Sequence, residues 1–244
     1  MNYIRLEEMR PNVKENYAEL PEQIPFVVIS YNNLTFVKNF VQQLKRFPNP
    51  IILIDNASTY PPMKEYLDEL EKDTITIHRL TENKGHFVYV SRGDLLPDRF
   101  ILSDPDLELH PNMPVNVAEQ LLKLSNEFKI FKVGAALDLS ERDKFLTCAY
   151  AGKPSIYEHE KQFWTEPISN PTYELYKADI DTTFCLVNRR YQTNGYYKGI
   201  RVAGNFTAKH LPWYKGYIRT HFSELELEYW QKNNISSSVL NCLD

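Results

Sequence analysis

Pro25-Phe-Val-Val-Ile-Ser-Tyr-Asn-Asn33 and Ile51-Ile-Leu-Ile-Asp-Asn-Ala-Ser-Thr59 decide how this chain folds. Each is a short, unbroken apolar run that stops abruptly at polar residues. A strand without alternation is one buried on both faces, as in a sheet with helices on either side. Between the two runs, Val37, Phe40, Val41 and Leu44 follow the i, i+3, i+4, i+7 spacing of a helix. Asn33 stands as its candidate cap, and Pro48 and Pro50 close it. After the second run, Pro61 and Pro62 open another helix with Met63, Tyr66, Leu67 and Leu70 on one side. Thr74-Ile-Thr-Ile-His78 reads as a third strand. Strands alternating with helices of this length predict parallel βαβ units and an α/β fold with a mostly parallel central sheet.

Further on, Arg99-Phe-Ile-Leu-Ser-Asp-Pro-Asp106 is an apolar strand ending in two acids one position apart. Open α/β sheets bind ligands beyond the carboxyl ends of their strands. Asp104 and Asp106 are hard oxygen donors suited to Mg²⁺ or Mn²⁺ carrying a diphosphate. The plainer reading is a polar turn, with Pro105 as turn former and Asp104 as a local cap. Beyond it, Val115 to Phe128 reads as a helix with Val117, Ala118, Leu121, Leu122 and Phe128 inward, and Ile130 to Leu137 as a strand. Residues 150–180, rich in Pro, Tyr and Glu, read as a loop-and-helix insertion before a strand at Thr183-Phe-Cys-Leu-Val187. Residues 1–24 read as a polar lead-in. The chain is treated as a single domain over 1–244, with a nucleotide-binding half at 24–137 and an acceptor-side half at 138–244.

Composition narrows the function. A net charge of −4 with no basic block argues against nucleic acid as the main partner. A small phosphorylated ligand stays possible, because a metal can bring the positive charge. The three cysteines, Cys148, Cys185 and Cys242, are odd in number and lack Cys-x-x-Cys spacing, which predicts neither a zinc site nor a disulfide framework. A reducing, cytoplasmic setting follows from that reading, with an acceptor or partner able to bring the protein to a membrane surface. No secretory signal and no transmembrane segment is visible. With eight glycines in all, the chain carries no G-x-G-x-x-G, no P-loop and no G-x-S-x-G elbow. Phosphate must then be held in another way, and a bridging divalent ion does so.

In order and spacing, residues 25–33, Ile54-Asp-Asn-Ala-Ser-Thr59, Glu82-Asn-Lys-Gly85 and Asp104-Pro-Asp106 resemble the nucleotide-binding half of a GT-A-fold glycosyltransferase, close to the large family-2 group of inverting enzymes. The resemblance covers residues 24–137. Asp181-Thr-Thr-Phe184 and His210-Leu-Pro-Trp-Tyr214 look like a subgroup of small glycosyltransferases. The resemblance implies a nucleotide-diphosphate-sugar donor, with a lean to UDP, and a glycan or other hydroxyl acceptor. It implies Asp55 on the nucleotide base; Asp55 can also be read as a helix or turn cap. Ser30, Tyr31, Asn32 and Asn56 would line the same pocket, with Asn83 and Gly85 near ribose and diphosphate. Asp106 is implied as a direct metal ligand, Asp104 near the ribose or the ion, and His210 as a third ligand. Asp181 is the candidate general base, with Asp179, Glu158 and Glu160 as alternatives. Two competing readings share the α/β frame: a sugar-nucleotide nucleotidyltransferase, and a non-catalytic glycan-binding module.

Overall fold

The computed structural model describes residues 23–192, 195, 197–232, 234 and 238–242. The lead-in expected over residues 1–24 lies almost wholly outside them. The described chain opens as the sequence predicts: β1 (Phe26–Ser30), α1 (Leu34–Leu44), β2 (Ile51–Asp55), α2 (Pro61–Glu71) and β3 (Thr76–Arg79). All of β1 is buried. Asn33 stands at the start of α1 but does not cap it: its Oδ1 accepts the Tyr31 amide at 3.1 Å. The orphan amide of Thr35 is met from far along the chain by Glu226, at 2.7 Å. A helix start needs its free N–H groups satisfied, and here the partner comes from tertiary structure.

α3 (Val88–Ser91), β4 (Arg99–Ser103), β5 (Leu107–Leu109), α4 (Val117–Phe128) and β6 (Lys132–Ala135) follow. On α4, Leu124 and Ser125 take inner positions, and Leu122 and Phe128 are only partly buried. The second half holds α5 (Ile156–Lys161), β7 (Pro167–Ile168), β8 (Leu175–Asp179), β9 (Cys185–Asn188), β10 (Lys198–Val202), β11 (Ala208–His210), α6 (Tyr217–His221) and α7 (Glu224–Gln231). The strands at β7 and β8 replace part of the insertion expected over 150–180. β8 is largely exposed on alternate residues, and its Lys177 and Asp179 hide it from a search for apolar runs.

The main sheet is nine-stranded, in the order β3-β2-β1-β4-β9-β6-β10-β8-β7. β1 pairs in parallel with β2 and β4, and β6 with β10. β9 runs antiparallel between β4 and β6, so strands from both halves of the chain share one sheet. β5 and β11 form a separate antiparallel pair. Alternate residues of β1 face opposite cores. Phe26 and Val28 join the larger one, with α1, α2 and α4; Val27 and Ile29 join the smaller one, with Val88, Tyr89 and Phe100. The C-terminal helix belongs to the larger core, where Trp230 meets Phe36 and Phe222 edge-on or tilted.

The expectation for the cysteines is overturned. Cys148 and Cys242 are joined by a disulfide across a separation of 94 residues, leaving Cys185 free and buried. Nothing local in the sequence marks such a long-range pair. Cysteine usage therefore no longer argues for a reducing compartment. Among the described residues, no helix is long and apolar enough to cross a membrane.

Two stability measurements check this packing. A Cβ added at Gly134 on β6 would lie 2.4 Å from Cys185 Cβ and 2.7 Å from its Cα. Gly134→Ala is expected to destabilise the protein by about 1–3 kcal/mol in urea unfolding, as overpacked cores do. Cys242→Ser should cost about 2–4 kcal/mol by freeing a long loop in the unfolded chain. A stability equal to that of the unaltered protein in either variant would contradict the corresponding contact.

Candidate functional site

A cleft of about 520 Å³ opens where β1, β2 and β4 end, and it extends toward the loops of the second half. It is the switch-point crevice that a parallel sheet provides. At its centre β4 delivers Asp104 and Asp106. The short β5–β11 ladder pairs Leu107 with His210, and Leu211 N–H donates to Asp106 O at 2.9 Å. This pairing carries His210 across the chain to Asp106, with Nε2 3.4 Å from Oδ2. Both side chains are largely buried. Among the described residues, Asp106 Oδ1 and His210 Nδ1 have no hydrogen-bond partner. Buried polar atoms left unpaired are costly, and a ligand or ion that meets them removes the cost.

Asp104 is tied to the second half of the chain. Its amide donates to Thr182 O at 2.9 Å, and its Oδ2 accepts the Thr182 hydroxyl. Burial raises its pKa well above the usual carboxylate range, and the charges of Asp106 and Asp181 add to the rise. Burial lowers the His210 pKa, with Asp106 pulling the other way. Like charges gathered in a partly desolvated cleft favour protonation or a cation. Among the described residues, no three His, Cys, Asp or Glu side chains stand together as a ready-made metal cage. The pair with unpaired buried atoms, the Asp106 carboxylate and the His210 imidazole, offers two donors of a kind that would suit a divalent ion.

At the β1 and β2 end, the implied donor-side residues divide into two groups. Ser30, Tyr31, Asn56, Asn83 and Gly85 line the cleft. Asn56 holds the neighbouring loop, accepting from Lys84 N–H at 2.7 Å and donating to Gly85 O at 3.1 Å. Gly85 has φ of 66°, a left-handed backbone that suits glycine. Asn32 and Asp55 do not line the cleft. Asn32 spends its amide on the Thr59 and Tyr60 N–H groups and on Tyr229 O and the Thr59 hydroxyl. It builds the start of α2 and holds α7. The buried Asp55 carboxylate accepts from Ser58 N–H at 3.3 Å, which is the turn-capping reading of this residue. Burial raises its pKa.

On the far wall, Asp179 and Asp181 both reach the cleft and are exposed there. Glu158 is not among the residues that line it. Glu160 is locked in a buried ion pair with Arg201. Arg201 also donates to Asp179 O at 2.9 Å and lies 4.1 Å from the Phe163 ring centroid. Burial pushes the Glu160 pKa up to about 7 against the lowering influence of Arg201. Its carboxylate is thus engaged by Arg201 in the wall of the cleft. Sequence reading missed Arg201 and Thr182, and also the buried Lys132. The available signal was a lone cation inside an apolar strand: Lys132 in Phe131-Lys-Val-Gly-Ala135, Arg201 in Gly199-Ile-Arg-Val202.

The sequence matches no protein-family model and no curated protein. Among solved structures, the chain is similar to the mannosyltransferase PcManGT from Pyrobaculum calidifontis, in complex with GDP-Man and Mn²⁺. The identity is 12% and the TM-score 0.48, over 81% of this chain and 59% of that one. It is also similar to S. aureus TarS 1–349 in complex with UDP, at 12% identity and a TM-score of 0.42, over 68% of this chain and 47% of that one. For the same protein in complex with UDP-GlcNAc, the identity is 13% and the TM-score 0.37, over 53% of this chain and 39% of that one. The chain thus spans between two fifths and three fifths of the length of these structures.

The Glu160–Arg201 pair gives a direct test of the far wall. Glu160→Leu and Arg201→Met should each destabilise the protein by about 3–5 kcal/mol, because each leaves one buried charge unpaired. The double variant should recover most of that loss in a chemical-denaturation cycle. Additive losses would mean the two charges do not form a unit.

Proposed function

We propose that the protein is a metal-dependent glycosyltransferase that moves a sugar from a nucleoside-diphosphate sugar to an acceptor hydroxyl, with inversion at the anomeric carbon. The observation that carries the reading is the Asp104–Asp106 pair beyond β4 with His210 of β11 beside it, the unpaired Asp106 and His210 atoms included, in a cleft that Asp181 also lines. The donor's nucleoside end is assigned to the wall made by Ser30, Tyr31, Asn56, Asn83 and Gly85. Its diphosphate is assigned to the acid cluster. Asp55, turned to Ser58, leaves the choice of base to the rest of that wall, and a UDP-sugar is the first donor to try.

Asp106 and His210 would hold the ion, with Asp104 beside it. A Mn²⁺ or Mg²⁺ ion held by them would supply positive charge against that developing on the departing nucleoside diphosphate. Asp181 takes the acceptor's proton as the acceptor oxygen attacks the anomeric carbon from the face opposite the diphosphate. The bond from carbon to acceptor oxygen forms as the bond from carbon to phosphate oxygen breaks, and the nucleoside diphosphate leaves with that electron pair. Asp181 and the diphosphate thus act on opposite faces of the sugar, which produces inversion. Asp179, which lines the same cleft, is the first alternative proton acceptor.

The expected outcome is Mn²⁺-stimulated turnover of one nucleotide sugar from a panel, together with thermal stabilisation by that donor. Asp106→Ala should lose the metal-dependent turnover and keep its unfolding transition. Asp181→Asn should bind donor normally and lose transfer by about 10²–10⁴-fold, the usual worth of a general base. Undiminished transfer in Asp181→Asn would remove it as the base. Metal-dependent turnover in Asp106→Ala would remove that residue as a ligand.

A further inference from the structure

Lys132 is fully buried in the middle of the sheet, on β6 between β9 and β10. A lysine there is expensive. Removing an ammonium from water costs several kcal/mol unless it is paired and hydrogen-bonded. An apolar side chain of similar volume would fill the same space without that cost, so packing alone does not account for it.

Its surroundings do. Nζ donates to Ile180 O at 3.0 Å and to Asp181 O at 2.7 Å. The ammonium lies 5.4 Å from the Tyr89 ring centroid and 5.8 Å from that of Tyr197. Burial lowers its pKa, while Cys185, Asp181, Asp104 and Asp179 pull the other way. The two carbonyls belong to the segment that connects β8 to β9. That segment presents the Asp181 carboxylate to the cleft, and its next residue, Thr182, holds Asp104 by both amide and carboxylate. One buried cation therefore anchors the backbone from which the proton acceptor and the clamp on the acid cluster both project.

We propose that Lys132 is a positioning residue of the transfer site: it pins residues 180–182, so that Asp181 faces the cleft and Thr182 keeps its hold on Asp104. This deepens the glycosyltransferase reading and rests on it for its catalytic consequence. Lys132 touches neither donor nor acceptor in this role. Its effect is on the turnover step more than on donor affinity.

The test uses the full chain with Lys132→Met, which keeps length and apolar volume and removes both hydrogen bonds. The Asp104 amide, bonded to Thr182 O, should exchange its hydrogen at least about tenfold faster, while amides of β1 and β2 hold their rates. With donor and Mn²⁺ at saturation, kcat should fall about tenfold or more and donor KM should move by less than about threefold. Lys132→Arg, which keeps two N–H donors, should recover part of the kcat. Lys132→Gln, a donor of shorter reach, carries the same expectations as Lys132→Met if the latter does not fold. A folded variant in which either Asp104 exchange or kcat stays at the wild-type value overturns the proposal, as does an equal loss of kcat and donor affinity. If the wild-type protein transfers no sugar from any donor, the functional reading fails instead, and the exchange measurement alone decides whether Lys132 holds this segment.

Discussion

The candidate site depends on holding carboxylates from two parts of the chain together at one rim of the sheet. Asp104, Asp106 and Asp181 come from two separate parts of the chain and line one cleft, and around the buried Asp104 the solvent's screening of charge is weakened. Such a cluster persists only if other groups hold it. Thr182 donates to Asp104, His210 stands against Asp106, and the buried Lys132 ammonium sits beneath the segment that carries Asp181. Each device is local, and together they leave an electron-rich corner with orphaned donor atoms. The proposed divalent cation, with its phosphate oxygens, would answer the charge of that corner.

The fold supplies the geometry cheaply. β1, β2 and β4 are parallel neighbours, so their polar ends fall on one rim without any special loop. β9, inserted between β4 and β6, brings the Asp181–Thr182 segment to the same rim. The short pairing of β5 with β11 then places His210. At the β1 end, α7 closes the frame. Glu226 caps the start of α1, and Asn32 and Tyr31 bond the backbone at Tyr229 and Lys232. α7 is thus structurally part of the β1 end of the cleft, where Trp230 forms some of the wall.

The first half of this architecture was readable from sequence because its signals are local. Continuous apolar runs marked β1, β2 and β4, and the 3.6-residue period marked α1, α2 and α4. Strand-end acids marked the rim. What stayed hidden depends on distance in sequence. The β5–β11 ladder is three residues long on each side, too short to show a pattern. β8 and β10 carry charges that turn out to be exposed in one case and buried in an ion pair in the other. Asn32 looked like a pocket residue because it follows a strand, yet its amide is spent on the α2 start. The Cys148–Cys242 pair has no local signature at all. A lone lysine within an apolar strand was the one visible mark of the Lys132 anchor, and it gains meaning only when the carbonyls it meets are known.

The most direct measurement is anomalous diffraction at the manganese edge, from crystals soaked with a UDP-sugar and Mn²⁺. The account predicts a peak within ligand distance of Asp106, close to His210, with the diphosphate oxygens completing the shell and the anomeric carbon facing Asp181. Manganese and diphosphate bound elsewhere, with the Asp106–His210 corner unchanged, would contradict it.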